Sequence, residues 1–141
     1  MGKATSKWVL IDKEKNKITK VTDDVVLAYE PEFEKEVFKT EDLSKIIEIE
    51  DAKLTAKYLV RKIDIDVNMH MHNLNYLDVA YEAMPDDIYL EGESNNVRIT
   101  YKKEAKLGEI IKAFYSNING KKQIVLKDEE AINTYCIIEL S

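Results

Sequence analysis

The sequence predicts an α+β domain in which a curved antiparallel sheet wraps one long helix, and three observations carry that expectation. Leu74, Leu77, Tyr81 and Met84 recur at helical spacing, with Ala80 and Ala83 widening the apolar stripe. Val97, Ile99 and Tyr101 alternate with Arg98, Thr100 and Lys102, which is the period of a strand. Asn119-Gly120 is the two-residue turn of a tight hairpin, between a long apolar strand over 107–118 and a second strand over 121–127. One strand, a helix and then four antiparallel strands would let the sheet close on the helix's apolar stripe.

Length and composition narrow the class. A chain of 141 residues suits one domain, and 45% hydrophobic with 34% charged residues excludes a disordered polymer. No apolar run approaches the roughly 20 residues that cross a bilayer. The first residues lack the apolar core of a signal peptide, and the single cysteine, Cys136, has no internal partner for a disulfide, so a reducing cytoplasm is expected. Gly2 followed by Ser6 matches a myristoylation signal, but a strand beginning at Trp8 argues against it. The whole net charge of −6 sits between Glu30 and Asp51, where nine acidic residues face three lysines. The remainder is neutral and offers no basic face for phosphates, so nucleic acid is excluded as a partner. The acidic run itself reads as a solvated connector.

In chain order, residues 8–12 and 17–21 read as a hairpin around a polar turn at 13–16. About 35 weakly periodic residues follow, interrupted by Pro31, with one or two helical turns expected over 41–48. Residues 58–64 read as a strand. Asn73 is the expected N-cap of the helix, which Pro85 ends. In the last strand Ile132, Thr134, Cys136, Ile138 and Leu140 share one face, while Asn133, Tyr135 and Glu139 share the other, a half-buried alternation.

Between the strand at 58–64 and the helix lies Asp64-Ile-Asp-Val-Asn-Met-His-Met-His-Asn73, which interleaves two carboxylates, two imidazoles and two carboxamides with apolar residues. Side chains that donate, accept and transfer protons are gathered next to a helix N-terminus, whose free N–H groups suit an anion or a developing oxyanion. Other readings compete. Asp64-x-Asp66-x-Asn68 opens like a calcium-binding loop, but Met69 stands where that loop needs Gly and Asn75 where it needs a bidentate Glu. His70-x-His72 with Met69 and Met71 could hold copper or another transition metal, yet no distant third ligand stands out. Strand parity places Glu104 on the polar side of its strand as a solvated edge residue. Cys136 falls on an apolar face and reads as core rather than nucleophile. Lys102, Lys103, Lys106, Lys121 and Lys122 lie near two turns and could dock an acidic partner.

Arg61-x-x-Asp-Ile-Asp-Val-Asn-x-His70, followed by Asn73, Tyr76, Glu82 and Pro85, resembles the second hot-dog domain of acyl-ACP thioesterases (ACP, acyl carrier protein). That family reads R-x-x-D-[LI]-D-x-N-x-H-V-N-N-x-x-Y and, later, Y-[RK]-[RK]-E-C, which here is Tyr101-Lys-Lys-Glu104-Ala105. Ser6-Lys-Trp-Val-Leu-Ile-Asp12 is similar to the last part of the family's first hot-dog domain. The resemblance implies a hairpin remnant of that domain over 1–24, an acidic linker over 25–56 and a hot-dog thioesterase domain over 57–141. Members carry two hot dogs side by side, with the acyl chain held mainly in the first and the catalytic residues on the second.

Carried onto this chain, the resemblance implies a catalytic set of Asp66, Asn68, His70 and Glu104, with N–H groups near His72 and Asn73 polarising the thioester carbonyl. No metal and no cofactor are implied, and the implied partner is an acyl carrier protein bearing a fatty acyl chain. Asp66 or Glu104 would orient or deprotonate water, Asn68 would hold geometry and His70 would help proton transfer to the thiolate. Two positions depart from the family: Ala105 replaces its cysteine, and His72 replaces the first Asn of its Asn pair. Because isolated hot dogs usually pair, a homodimer is expected. The alternatives are a non-catalytic truncated hot dog that only dimerises, and a single-hot-dog enzyme acting on acyl-CoA.

Overall fold

The structure, a computed structural model, describes residues 2–12, 14–15, 17–35, 44–92 and 94–141. The chain divides into two compact units, Met1–Ser44 and Lys45–Ser141. In the first, β1 (Leu10–Asp12) pairs antiparallel with β2 (Lys17–Thr19), so the expected hairpin forms with strands shorter than its apolar residues suggest. Asp12 shapes the turn by accepting the N–H groups of Glu14 and Lys15 at 3.0 and 3.1 Å. A short helix follows, α1 (Asp23–Ala28), inside the stretch read as connector. Of the helical turns expected over 41–48, residues 41–43 lie outside the described residues, and 44–48 are not helical.

The second unit is a five-stranded antiparallel sheet with the order β3-β5-β6-β7-β4. Its strands are β3 (Lys53–Leu59), β4 (Val97–Tyr101), β5 (Ile110–Ile118), β6 (Lys121–Lys127) and β7 (Thr134–Leu140). Asn119, at φ 54, and Gly120, at φ 79, make the turn between β5 and β6, where both positions need left-handed backbone. Against β6 and β7 lies α2 (Asn75–Glu82), and a one-turn helix, α3 (Asp86–Leu90), follows Pro85. This is the hot-dog arrangement.

The helix is shorter than its apolar spacing suggests, and rotated. It buries Tyr76, Val79 and Ala80, and Ala83 and Met84 just beyond its end are buried as the stripe predicts, whereas Leu74 is largely exposed and Leu77 and Tyr81 pack at the flank. Large and small side chains share the inner face, Tyr76 and Val79 joining Ala80 in one core cluster with Ile124, Leu126, Cys136 and Ile138. Asn73 is not the N-cap. The cap position is Leu74, and no side chain caps it.

Three strand boundaries differ for local reasons. The first strand of the sheet stops at Leu59, because Asp64 draws the chain into a 3₁₀ turn over Lys62–Asp64 by accepting the Arg61 N–H at 2.7 Å. The strand expected from 107 begins at Ile110. Before it, Glu109 N–H bonds the Lys106 carbonyl and Gly108, at φ 82, turns its N–H to Val60. The last strand begins at Thr134, since the Asp128 carboxylate gathers the N–H groups of Ile132 and Asn133 at 2.8 and 3.0 Å.

The last strand is also buried on both faces, which corrects the half-buried alternation. Cys136, Ile138 and Leu140 join the helix-side core, while Ile137 packs with Val125, Phe114 and Ile46 on the opposite face. The cover on that side is the segment just ahead of β3, held there by a buried amide. Gln123 accepts the Ile49 N–H at 2.8 Å and donates to the Ile47 carbonyl at 2.9 Å, as a backbone neighbour would. Glu48 adds an ion pair to Lys127 at 2.5 Å.

Candidate active site

The polar stretch folds as a small hairpin laid before α2. Ile65 bridges Met71, the Asp66 N–H bonds the His70 carbonyl at 2.9 Å, and the His72 N–H bonds the Asp64 carbonyl at 2.8 Å. The tip turns at Met69, held at φ 65, a left-handed conformation unusual for a residue with a Cβ. Asp66 stabilises it from inside: its Oδ1 accepts the N–H groups of Asn68 at 2.8 Å and His70 at 3.4 Å. Desolvation raises the Asp66 carboxyl, but these N–H groups, the Asn68 side chain and the nearby His70 outweigh it and hold the group below its ordinary value. Asp66 is therefore a carboxylate with one oxygen committed to the loop.

Asp64 is the buried anchor of the hairpin. Its carboxylate accepts from the Tyr58 hydroxyl at 2.7 Å, from the Arg61 N–H, and from the Arg61 guanidinium at 3.0 and 3.3 Å. Burial pushes its carboxyl up, and the Arg61 guanidinium and N–H together with the Tyr58 hydroxyl more than reverse this, leaving it lowered. A carboxylate so occupied has no lone pair to offer calcium, which removes the cation-loop reading. Among the described residues, no three His, Cys, Asp or Glu side chains converge as metal ligands would.

The second motif reaches the first across the end of β4. Glu104 lies beyond that strand, where its parity no longer applies, and its Oε2 is 3.1 Å from His70 Nε2. Glu104 is thus solvated as expected, its side chain 70% exposed, yet it reaches the imidazole of the first motif. Ala105 ties the motifs by its backbone alone. Its N–H donates to the Tyr76 hydroxyl at 2.8 Å and its carbonyl accepts the Met71 N–H at 2.8 Å, with the methyl fully buried.

The oxyanion donors narrow to one. The His72 N–H, expected to share that role, is spent on the Asp64 carbonyl, whereas the Asn73 N–H makes no hydrogen bond among the described residues. Sequence reasoning missed Tyr101, whose hydroxyl donates to the Asn73 carbonyl at 2.9 Å and whose ring meets Tyr76 edge-on at 5.7 Å. Its place at the head of the second motif was the available signal. Cys136 is fully buried, and burial pushes its thiol far up, as expected for a core residue.

Two separate motif segments thus converge on a carboxylate–imidazole pair, on a helix-and-sheet unit of this topology. Residues 47–139 match the model of the acyl-ACP thioesterase C-terminal domain, and the chain belongs to that family. It is 30% identical over 121 residues to oleoyl-acyl carrier protein thioesterase 1 of Arabidopsis thaliana, covering 78% of this chain and 33% of that one. Over 124 residues it is 27% identical to the oleoyl-acyl carrier protein thioesterase of Coriandrum sativum, covering 82% and 34%. The 12:0-ACP thioesterase from Umbellularia californica superposes with a TM-score of 0.75 at 19% identity, over 93% of this chain and 52% of that structure. An acyl-ACP thioesterase from Bacteroides thetaiotaomicron gives 0.74 at 16% identity, over 92% and 51%. The chain therefore spans about a third of the length of these curated relatives and about half of the solved ones.

Proposed function

We propose that this chain carries the catalytic half of a fatty acyl-ACP thioesterase, releasing free fatty acid from the carrier's thioester. The observation that carries the reading is the 3.1 Å contact between His70 and Glu104, which joins the two motif segments. Glu104 is the general base. His70 Nε2–H fixes one of its oxygens, and the other accepts a proton as water attacks the thioester carbon. The carbonyl oxygen takes up the negative charge facing the Asn73 N–H. When the C–S bond breaks, the proton on Glu104 passes to the departing sulfur, giving a carboxylic acid and the carrier's thiol. Asp66 and Asn68 act on the loop: with one Asp66 oxygen bonded to backbone N–H groups and its basicity lowered, that carboxylate holds His70 in place rather than taking the water's proton.

Thiol release from medium- and long-chain acyl-ACP, with acyl-CoA alongside, tests this. Glu104→Gln should lower kcat by about 10²-fold or more, the ordinary range for a general base. Turnover of acyl-CoA alone would move the substrate to the coenzyme. Absence of any turnover would assign the chain to a non-catalytic hot dog. We further propose that two copies pair, since β3 lies at the edge of the sheet and, among the described residues, has β5 as its one strand neighbour. Light scattering at the mass of one chain would refute the dimer.

A further inference from the structure

At the start of α2, one peptide group is held at both ends. The Asn73–Leu74 peptide presents its carbonyl to the Tyr101 hydroxyl at 2.9 Å and its N–H to His72 Nδ1 at 3.3 Å. The preceding peptide, His72–Asn73, has its carbonyl taken by the Asn75 N–H at 2.9 Å, while its own N–H, on Asn73, faces no acceptor among the described residues. Three of the four polar groups of these two peptides are thus taken, and the Asn73 N–H is the one left for substrate.

Resting on the hydrolase reading, we infer that His72 and Tyr101 are positioning residues for thioester hydrolysis, clamping the Asn73–Leu74 peptide so that the Asn73 N–H points at the carbonyl oxygen as it becomes an oxyanion. The side chains suit the task differently. An imidazole accepts at Nδ1 only when that nitrogen is unprotonated, which with a neutral ring places the proton on Nε2. Tyr101 must donate, and partial burial raises its phenol to about 12, so it stays protonated wherever the enzyme would work. The hydroxyl comes from β4 and the imidazole from the hairpin, so the clamp reports on both motif segments at once. An asparagine at position 72 would close the same turn through its side-chain oxygen, accepting the N–H two residues on. His72 is therefore a replacement that keeps the acceptor.

The test uses the full chain with long-chain acyl-ACP and reads kcat separately from KM. Tyr101→Phe and His72→Ala should each lower kcat by about tenfold or more with KM nearly unchanged, since only the transition state uses the held N–H. His72→Asn should restore most of the loss. The double variant should be little worse than the poorer single one, because both act on one peptide. Long-range ¹H–¹⁵N spectra of the unaltered chain should show His72 unprotonated at Nδ1. A protonated Nδ1 in the neutral ring, or full kcat in both variants while Glu104→Gln is impaired, would overturn the clamp and leave the hydrolase reading standing. No turnover by the unaltered chain would overturn both.

Discussion

Asp64 spends its carboxylate on the chain's own Arg61 and Tyr58, and this predicts how the domain responds to acid. Its folded-state value lies below its unfolded one, so the stabilisation it contributes is complete above the unfolded value, about 3.9, and is lost as pH falls through the folded one. Asp64→Asn should cost about 2 kcal/mol near neutrality, because a buried acceptor of charge-assisted bonds is replaced by a weaker one that also brings an unmatched donor. Urea melts should show that gap closing below about pH 4. Cys136 gives an independent expectation for a single side chain. Buried in the sheet with its thiol pushed up, it should resist iodoacetamide in the native chain and react only after unfolding, with turnover unaffected by the reagent. The prominence of Asp66 and His70 was legible from residue type and spacing, since the motif's unusual density of proton-handling groups stands out in sequence, whereas Glu104 was singled out only through the family resemblance. The 3.1 Å meeting of His70 and Glu104 was not legible, because strand parity cannot follow a chain past the strand's last residue. Nor could spacing tell a carboxylate that anchors a turn, Asp64, from one that lines a site.

At the scale of elements, the amide of Gln123 stands in for a missing strand neighbour, bonding the Ile49 N–H and the Ile47 carbonyl from within the sheet. Gln123→Leu should cost about 1–3 kcal/mol by leaving two backbone groups without partners, and the Ile49 amide should lose its protection in hydrogen exchange while amides of β6 keep theirs. Two elements show what periodicity can and cannot deliver. The Asn119-Gly120 hairpin was readable because the turn demands those residue types. The orientation of α2 was not, because a stripe counted from Leu74 passes over Tyr76 and Val79, which the core buries, while Leu74 itself stays exposed. The same holds for β7, where alternation suggested one wet face. The cover that dries it, Ile46, comes from a stretch whose charge advertises solvent.

For the whole molecule, the position of that cover decides where the folded unit starts. Lys45–Ser141 forms one compact unit, and Ile46 is buried against Val125 and Ile137 inside it. A chain shortened to begin at residue 45 should therefore fold with a cooperative melt. One shortened to begin at residue 57 loses β3's first residues, the Ile46 contact, worth about 2 kcal/mol, and both Gln123 bonds. Its midpoint should fall by about 10 °C or more, with the bared sheet face favouring association. Calorimetry on the two chains would separate these outcomes, and equal midpoints would show that the segment over 45–56 contributes nothing.

Ala105 has a consequence for anyone who would move this chemistry elsewhere. Because its N–H and carbonyl join Tyr76 to Met71, the residues that speak for function in the two motifs are stitched through a residue with almost no side chain. The hairpin over 64–72, the start of α2 and the stretch over 101–106 make one cassette. Transplanting either segment alone onto another hot-dog scaffold would import the letters of the motif without the seam that brings them into register.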